Sequence, residues 1–140
     1  MITPDYRLAI DFSSVEEIPQ DAKERLPYFN ALKELIQSEK DKIKGWHRSG
    51  AGGREVIQSY TSLIDEVIRH VILSMIQLSK YQSASVLEDF SLIAVGGYGR
   101  GELNPLSDID LLFIIPEKPK PLTDMFIQDA LSVFWGFGME

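Results

Sequence analysis

Apolar and polar positions along this chain follow two different rhythms. From about Pro27 to about Lys44, Leu32, Leu35, Ile36 and Ile43 recur at helical spacing, which predicts a first helix. Lys33, Glu34, Glu39, Lys40 and Asp41 are expected on its other side as a solvated face. Asp21 and Glu24 are spaced like a capping box, with Pro27 moving the helix start to Leu26. A second and stronger helix is predicted from about Arg54 to Tyr81, where Val56, Ile57, Tyr60, Leu63, Ile64, Val67, Ile68, Val71, Ile72, Met75 and Ile76 make a broad stripe. That stripe is expected to pack on the first helix and on a sheet. Ser49-Gly50-Ala51-Gly52-Gly53 reads as the linker between the helices, since it has neither a preceding strand nor the Gly-Lys-Ser/Thr ending of a phosphate loop.

The rhythm changes after Glu88-Asp89. Phe90 to Val95 reads as a buried strand, Gly96 to Ser107 as a turn-rich connection and Ile109 to Ile115 as a second strand, ended by Pro116, Pro119 and Pro121. Helical spacing returns from Leu122 to Trp135 through Met125, Phe126, Ala130, Val133 and Phe134. The fold class expected is α+β: N-terminal helices, then a short mixed sheet with the two strands adjacent and the last helix packed on one face. Residues 1–85 are assigned to a helical region and residues 86–140 to a second unit that carries the chemistry.

Composition narrows the classes of function. With 140 residues and 44% hydrophobic content the chain is long enough for a core. A net charge of −7 and a pI near 4.8 argue against a general nucleic-acid binder, which displaces counterions with a basic surface. There is no cysteine, so disulfides and thiolate metal sites are excluded. Met1 to Tyr6 lacks the basic and apolar regions of a signal peptide, and no apolar run reaches membrane-spanning length, so the expected location is the cytoplasm. His47 and His70 have no second ligand at a metal-binding spacing and are expected to be structural or solvated.

One segment concentrates the chemistry. Gly96-Gly97 closes the first strand, ten residues follow, and Asp108-Ile109-Asp110 opens the second. Carboxylates at i and i+2 on a strand share a face, with Ile109 and Leu111 turned to the other. Such a pair suits Mg²⁺, which takes oxygen ligands and is commonly held by one or two carboxylates plus substrate phosphates. The glycines let backbone N–H groups approach phosphate oxygens with no Cβ in the way. Arg100 has two readings, a phosphate contact or a loop-organising pair with Glu102. Either motif alone reads as a turn or a cap; their order, strand to Gly-Gly to Asp-apolar-Asp to strand, favours a nucleotide and metal site.

The Gly97, Asp108 and Asp110 arrangement resembles the DNA polymerase β-like nucleotidyltransferase superfamily. Val95-Gly96-Gly97-Tyr98-Gly99-Arg100-Gly101-Glu102-Leu103, with Pro105 and Ser107-Asp108-Ile109-Asp110-Leu111-Leu112, is similar to the bifunctional PII uridylyltransferase/uridylyl-removing family. Weaker similarity runs through Gly53 to Ile68 and Trp135 to Glu140. The resemblance implies transfer of UMP from UTP to a tyrosine of the PII nitrogen-signalling protein. It implies two Mg²⁺ ions in the complete site, Asp108 and Asp110 as catalytic metal ligands, and Gly96, Gly97, Arg100 and Ser107 as nucleotide contacts. A glutamine synthetase adenylyltransferase-like enzyme is the rival within the class, and a non-catalytic nucleotide-binding or regulatory module the rival outside it. The superfamily adds a third carboxylate on a later strand. Here Glu117 lies among prolines, Asp124 and Asp129 on the predicted last helix, and Glu140 at the end. These positions predict the N-terminal part of a larger enzyme, inactive alone. The uridylyl-removing and glutamine-sensing domains of the family are not within these residues.

Overall fold

The computed structural model describes residues 10–81, 90–103 and 109–138. A short 3-10 turn at Ala22–Glu24 comes first, capped by Asp21, whose carboxylate accepts from the Lys23 N–H at 2.9 Å. α1 (Leu26–Arg48) follows, with proline in its first turn, where a missing N–H deprives the helix of nothing. It runs past Lys44 and stops where the Ser49 hydroxyl turns back to the Gly45 carbonyl at 2.8 Å. Tyr28, Leu32 and Ile43 form its buried stripe. Glu39 corrects the expectation of a wholly solvated polar face: it is only 3% exposed and paired with Lys42 at 2.9 Å. It stands seven positions after Leu32 and four before Ile43, so helical geometry puts it on the packed side whatever its charge.

α2 (Gly53–Ile76) packs against α1 through the predicted stripe. Leu63, Val67, Val71 and Met75 are fully buried, each stabilising the fold by roughly 1.5–3 kcal/mol relative to exposure. The helix ends at Ile76 rather than Tyr81. Turns at Leu78 and Tyr81, bonded to the Met75 and Leu78 carbonyls, direct both side chains inward. Tyr81 then meets the ring of Phe126 edge-on at 4.9 Å.

β1 (Ser91–Ala94) and β2 (Leu111–Ile114) pair antiparallel, Ser91 opposite Ile114 and Ala94 opposite Leu111. Between them Gly96–Gly99 makes one helical turn, α3. Alternation along the strands turns Leu92, Ala94, Leu111 and Phe113 to the core and leaves Ile93, Leu112 and Ile114 on an open face. α4 (Pro121–Gly136) lies on the core face, where Phe90 bridges Phe113 at 5.8 Å and Phe126 at 5.5 Å. The α+β expectation is met, with the last helix against the sheet. Among the described residues no helix is long and apolar enough to cross a membrane.

One ion pair joins three elements. The Arg25 guanidinium, 1% exposed, pairs with Asp129 of α4, 13% exposed. The same carboxylate accepts from the Tyr81 hydroxyl at 2.7 Å and faces Lys80 at 3.4 Å. Arg25 Nε also donates to the Pro19 carbonyl at 2.9 Å. Burial opposes ionisation of Asp129, but the hydrogen bonds from Arg25 and Tyr81 and the positive charges nearby prevail, holding its pKa below 3.8. Removing one partner of such a pair strands the other, so Arg25→Met is expected to cost about 3 kcal/mol in urea unfolding at neutral pH. A depressed folded pKa contributes stability that is present above the unfolded value and lost as pH falls through the folded one. The acid limb of the wild-type stability curve, measured downward from about pH 5, is therefore expected to be steeper than that of Asp129→Asn.

Candidate functional site

The strand register brings the glycine turn and one acidic residue together. Asp110 stands one residue before β2, and the Val95 N–H donates to its carbonyl at 3.0 Å, which extends the ladder by a step. Its side chain is exposed, in phase with Leu112 and Ile114 on the open face, while Ile109 packs on the core side. Gly96 lies beside it with φ +62°, a left-handed conformation that suits glycine. A Cβ on Gly96 would stand 2.9 Å from Asp110 Oδ2, so the carboxylate rests on the bare Cα. Gly99 is held as tightly from behind, since a Cβ there would be 2.6 Å from the backbone oxygen of Ala94. The turn is therefore folded onto both strands at once. The opening N–H groups of a helical turn have no acceptor within it, and in α3 these belong to Gly96, Gly97 and Tyr98.

α2 fixes the far side of the turn through residues that the periodicity of the sequence had passed over. Thr61 Oγ1 accepts from the Leu103 N–H at 3.0 Å, at a fully buried residue, and lies 3.3 Å from the Gly101 carbonyl. One helical turn on, Asp65 accepts from the Tyr98 hydroxyl at 2.5 Å. Burial, then the Asp65 hydrogen bond and charge, push the Tyr98 pKa well up, so the phenol stays a donor. The only signal of this latch in the sequence is a polar pair at i and i+4 interrupting an apolar helix stripe, and that pattern is also common at plain helix surfaces.

The remaining candidate residues fall in different places. Arg100 extends from the end of α3 and pairs with Glu102 at 3.3 Å, both about two-thirds exposed. Its guanidinium also lies 3.8 Å from where a Gly97 Cβ would stand. Asp108 and Ser107 are outside the described residues. Asp129 is engaged with Arg25 and is far from a metal ligand's role, and Asp124 is on the surface of α4. His70 stacks on Phe12 with ring centroids 3.9 Å apart, and burial lowers its pKa. His47 Nδ1 lies 3.2 Å from the Ala51 carbonyl.

A divalent cation fits the donor chemistry at Asp110. The carboxylate is a hard oxygen donor, it faces solvent, and among the described residues no cation or hydrogen-bond donor engages it. Among those same residues no group of three His, Asp or Glu side chains gathers. What the arrangement offers is an acidic group, glycine amides and a displaceable guanidinium around one turn.

Comparison with known proteins assigns the class. Residues 75–134 match the nucleotidyltransferase domain, a segment that holds the end of α2, both strands, the turn and most of α4. Over most of its length the chain is also similar to bifunctional uridylyltransferase/uridylyl-removing enzymes, in their nucleotidyltransferase part. It is 30% identical to that of Caulobacter vibrioides (strain NA1000 / CB15N) over 135 residues, 96% of this chain and 14% of the relative. Identity is 34% with the enzyme of Pseudomonas fluorescens (strain SBW25) over 110 residues, 79% of this chain and 11% of the relative. It is 36% with that of Rhodospirillum rubrum over 90 residues, 63% of this chain and 10% of the relative. The chain thus spans about one-seventh or less of the curated relatives it matches. No solved structure matches.

The latch leads to a stability prediction. Thr61→Val keeps the side-chain shape but leaves the buried Leu103 N–H without its acceptor, which is expected to cost about 1–3 kcal/mol in denaturant unfolding. Thr61→Ser retains the hydroxyl and is expected to recover most of that loss. Destabilisation by Ser with little effect of Val would mean that the methyl contact, not the hydrogen bond, holds the turn.

Proposed function

We propose that this chain carries the metal-binding and triphosphate-cradling part of an enzyme that transfers UMP from UTP to a tyrosine of the PII signalling protein, in the cytoplasm. The observation that carries the reading is the Asp110 carboxylate seated on Gly96, at the mouth of a turn that α2 and both strands hold in place. Asp110, with Asp108, is the proposed ligand pair for Mg²⁺. A metal held by these carboxylates would supply positive charge to offset that of the triphosphate. The N–H groups of Gly96 and Gly97 donate to phosphate oxygens, and Ser107 is assigned a further nucleotide contact. Arg100 exchanges its exposed partner Glu102 for phosphate, an exchange favoured because a water-screened surface pair is weak. In this reading residues 1–85 are a helical scaffold and residues 86–140 carry the chemistry. The similarity to enzymes named for uridylyl transfer supports UTP over other nucleotides.

Backbone amide NMR of the chain during titration with UTP, with and without Mg²⁺, tests this. Metal-dependent shifts are expected at Gly96, Gly97 and Asp110. Asp110→Asn, which keeps the shape and removes the charge, is expected to weaken the metal-dependent binding at least about tenfold, the worth of one charge-assisted contact. Shifts that are the same with and without Mg²⁺, or unchanged in Asp110→Asn, would leave a nucleotide-binding module without a metal site.

A further inference from the structure

α2 presents more to the turn than its two latching side chains. Arg54, Ile57 and Gln58 precede Thr61 on the same helical face, at spacings of three and four. With Arg100, Gly101 and Glu102 they line a cavity of about 530 Å³. Two guanidiniums and one carboxylate belong to its lining residues, a local excess of positive charge on a chain whose net charge is −7.

Arg54 is poorly placed for the helix itself. It sits in the first turn of α2, where the aligned peptide dipoles already put partial positive charge. Among the described residues it forms no ion pair that would offset this. An exposed cation that the helix disfavours and that pairs with no carboxylate among the described residues is available for an anion. Arg100 links the cavity to the turn: it lines the cavity, and adjacent glycines have the Asp110 carboxylate against one and the Arg100 guanidinium against the other. A polyanion with its metal-bound part at Asp110 has Gly97 and Arg100 on the way to Arg54.

We propose that the cavity between the first turns of α2 and the Gly101–Glu102 segment is an anion subsite for the pyrophosphate end of a nucleoside triphosphate, with Arg54 as its second cation. The proposal rests on the metal-nucleotide reading of Asp110 and adds to it a residue more than forty positions upstream of the glycine turn.

Calorimetric titration of the whole chain in Mg²⁺ with UTP, UMP and inorganic pyrophosphate tests it, using the wild type, Arg54→Ala, Arg54→Lys and Asp110→Asn. Arg54→Ala is expected to weaken UTP and pyrophosphate about tenfold, as for loss of one charge-assisted contact, and to leave UMP within about twofold. Arg54→Lys keeps the charge and is expected to fall between. Thermal midpoints of the Arg54 variants are expected at or above that of the wild type, because a cation leaves or stays in a first turn that disfavours it. Equal loss of UTP and UMP, or no loss of either, overturns the subsite. If Asp110→Asn abolishes metal-dependent UTP binding while Arg54→Ala changes nothing, only the subsite falls. If Arg54→Ala weakens UTP while Asp110→Asn does not, the subsite stands and the metal reading falls. Absence of binding to all three probes by the wild type overturns both.

Discussion

Everything at the candidate site depends on the register between two four-residue strands. Ala94 opposite Leu111 makes Val95 the partner of Asp110, and that one further hydrogen bond sets the carboxylate against Gly96. A slip of one residue would turn Asp110 into the core and Leu111 out to solvent, because side chains alternate along a strand. The register is held by apolar contacts behind it. Leu92 and Phe113 share the core face, and Phe90 locks Phe113 to Phe126 of α4. The acidic group is thus positioned by packing on the opposite side of its own strand.

The long helix α2 works on two fronts. Its apolar stripe is buried against α1 and the rest of the core, and a neighbouring strip of polar side chains grips the segment after β1. Thr61 and Asp65 bond the turn directly, and Arg54 and Gln58 continue the same strip along the cavity. Coupling a glycine-rich segment to a long, well-packed helix lowers the entropy it retains, so its N–H groups point one way before any ligand arrives. The match of residues 75–134 to the nucleotidyltransferase domain gives this preorganisation a chemical sense, since phosphoryl chemistry is mostly positioning and charge neutralisation.

Much of this was legible beforehand where one local rule acted alone. The two long helices, the two strands and the last helix follow from apolar spacing, and the ends shift by a few residues where a cap or a buried side chain intervenes, as at Ser49 and Tyr81. Expectations failed where charge was used as a proxy for exposure. Glu39, expected on the solvated face of the first helix, is buried because of its angular position, with Lys42 as partner.

Short-range chemistry is therefore what the sequence by itself determined: periodicity chose the elements, and the spacing of Gly96, Gly97 and Asp110 marked the turn and its acid. That information is local because it depends on side-chain alternation and on backbone freedom at single residues. Only the tertiary structure decided which distant groups meet. Asp129 was drawn to Arg25 across α4, Thr61 to Leu103 and Asp65 to Tyr98, pairings separated by 104, 42 and 33 positions. Hydrogen bonds and ion pairs of this kind require distances near 3 Å and aligned donors. No periodicity in a chain encodes such proximity; it exists only once the core has closed and set the helices against the turn.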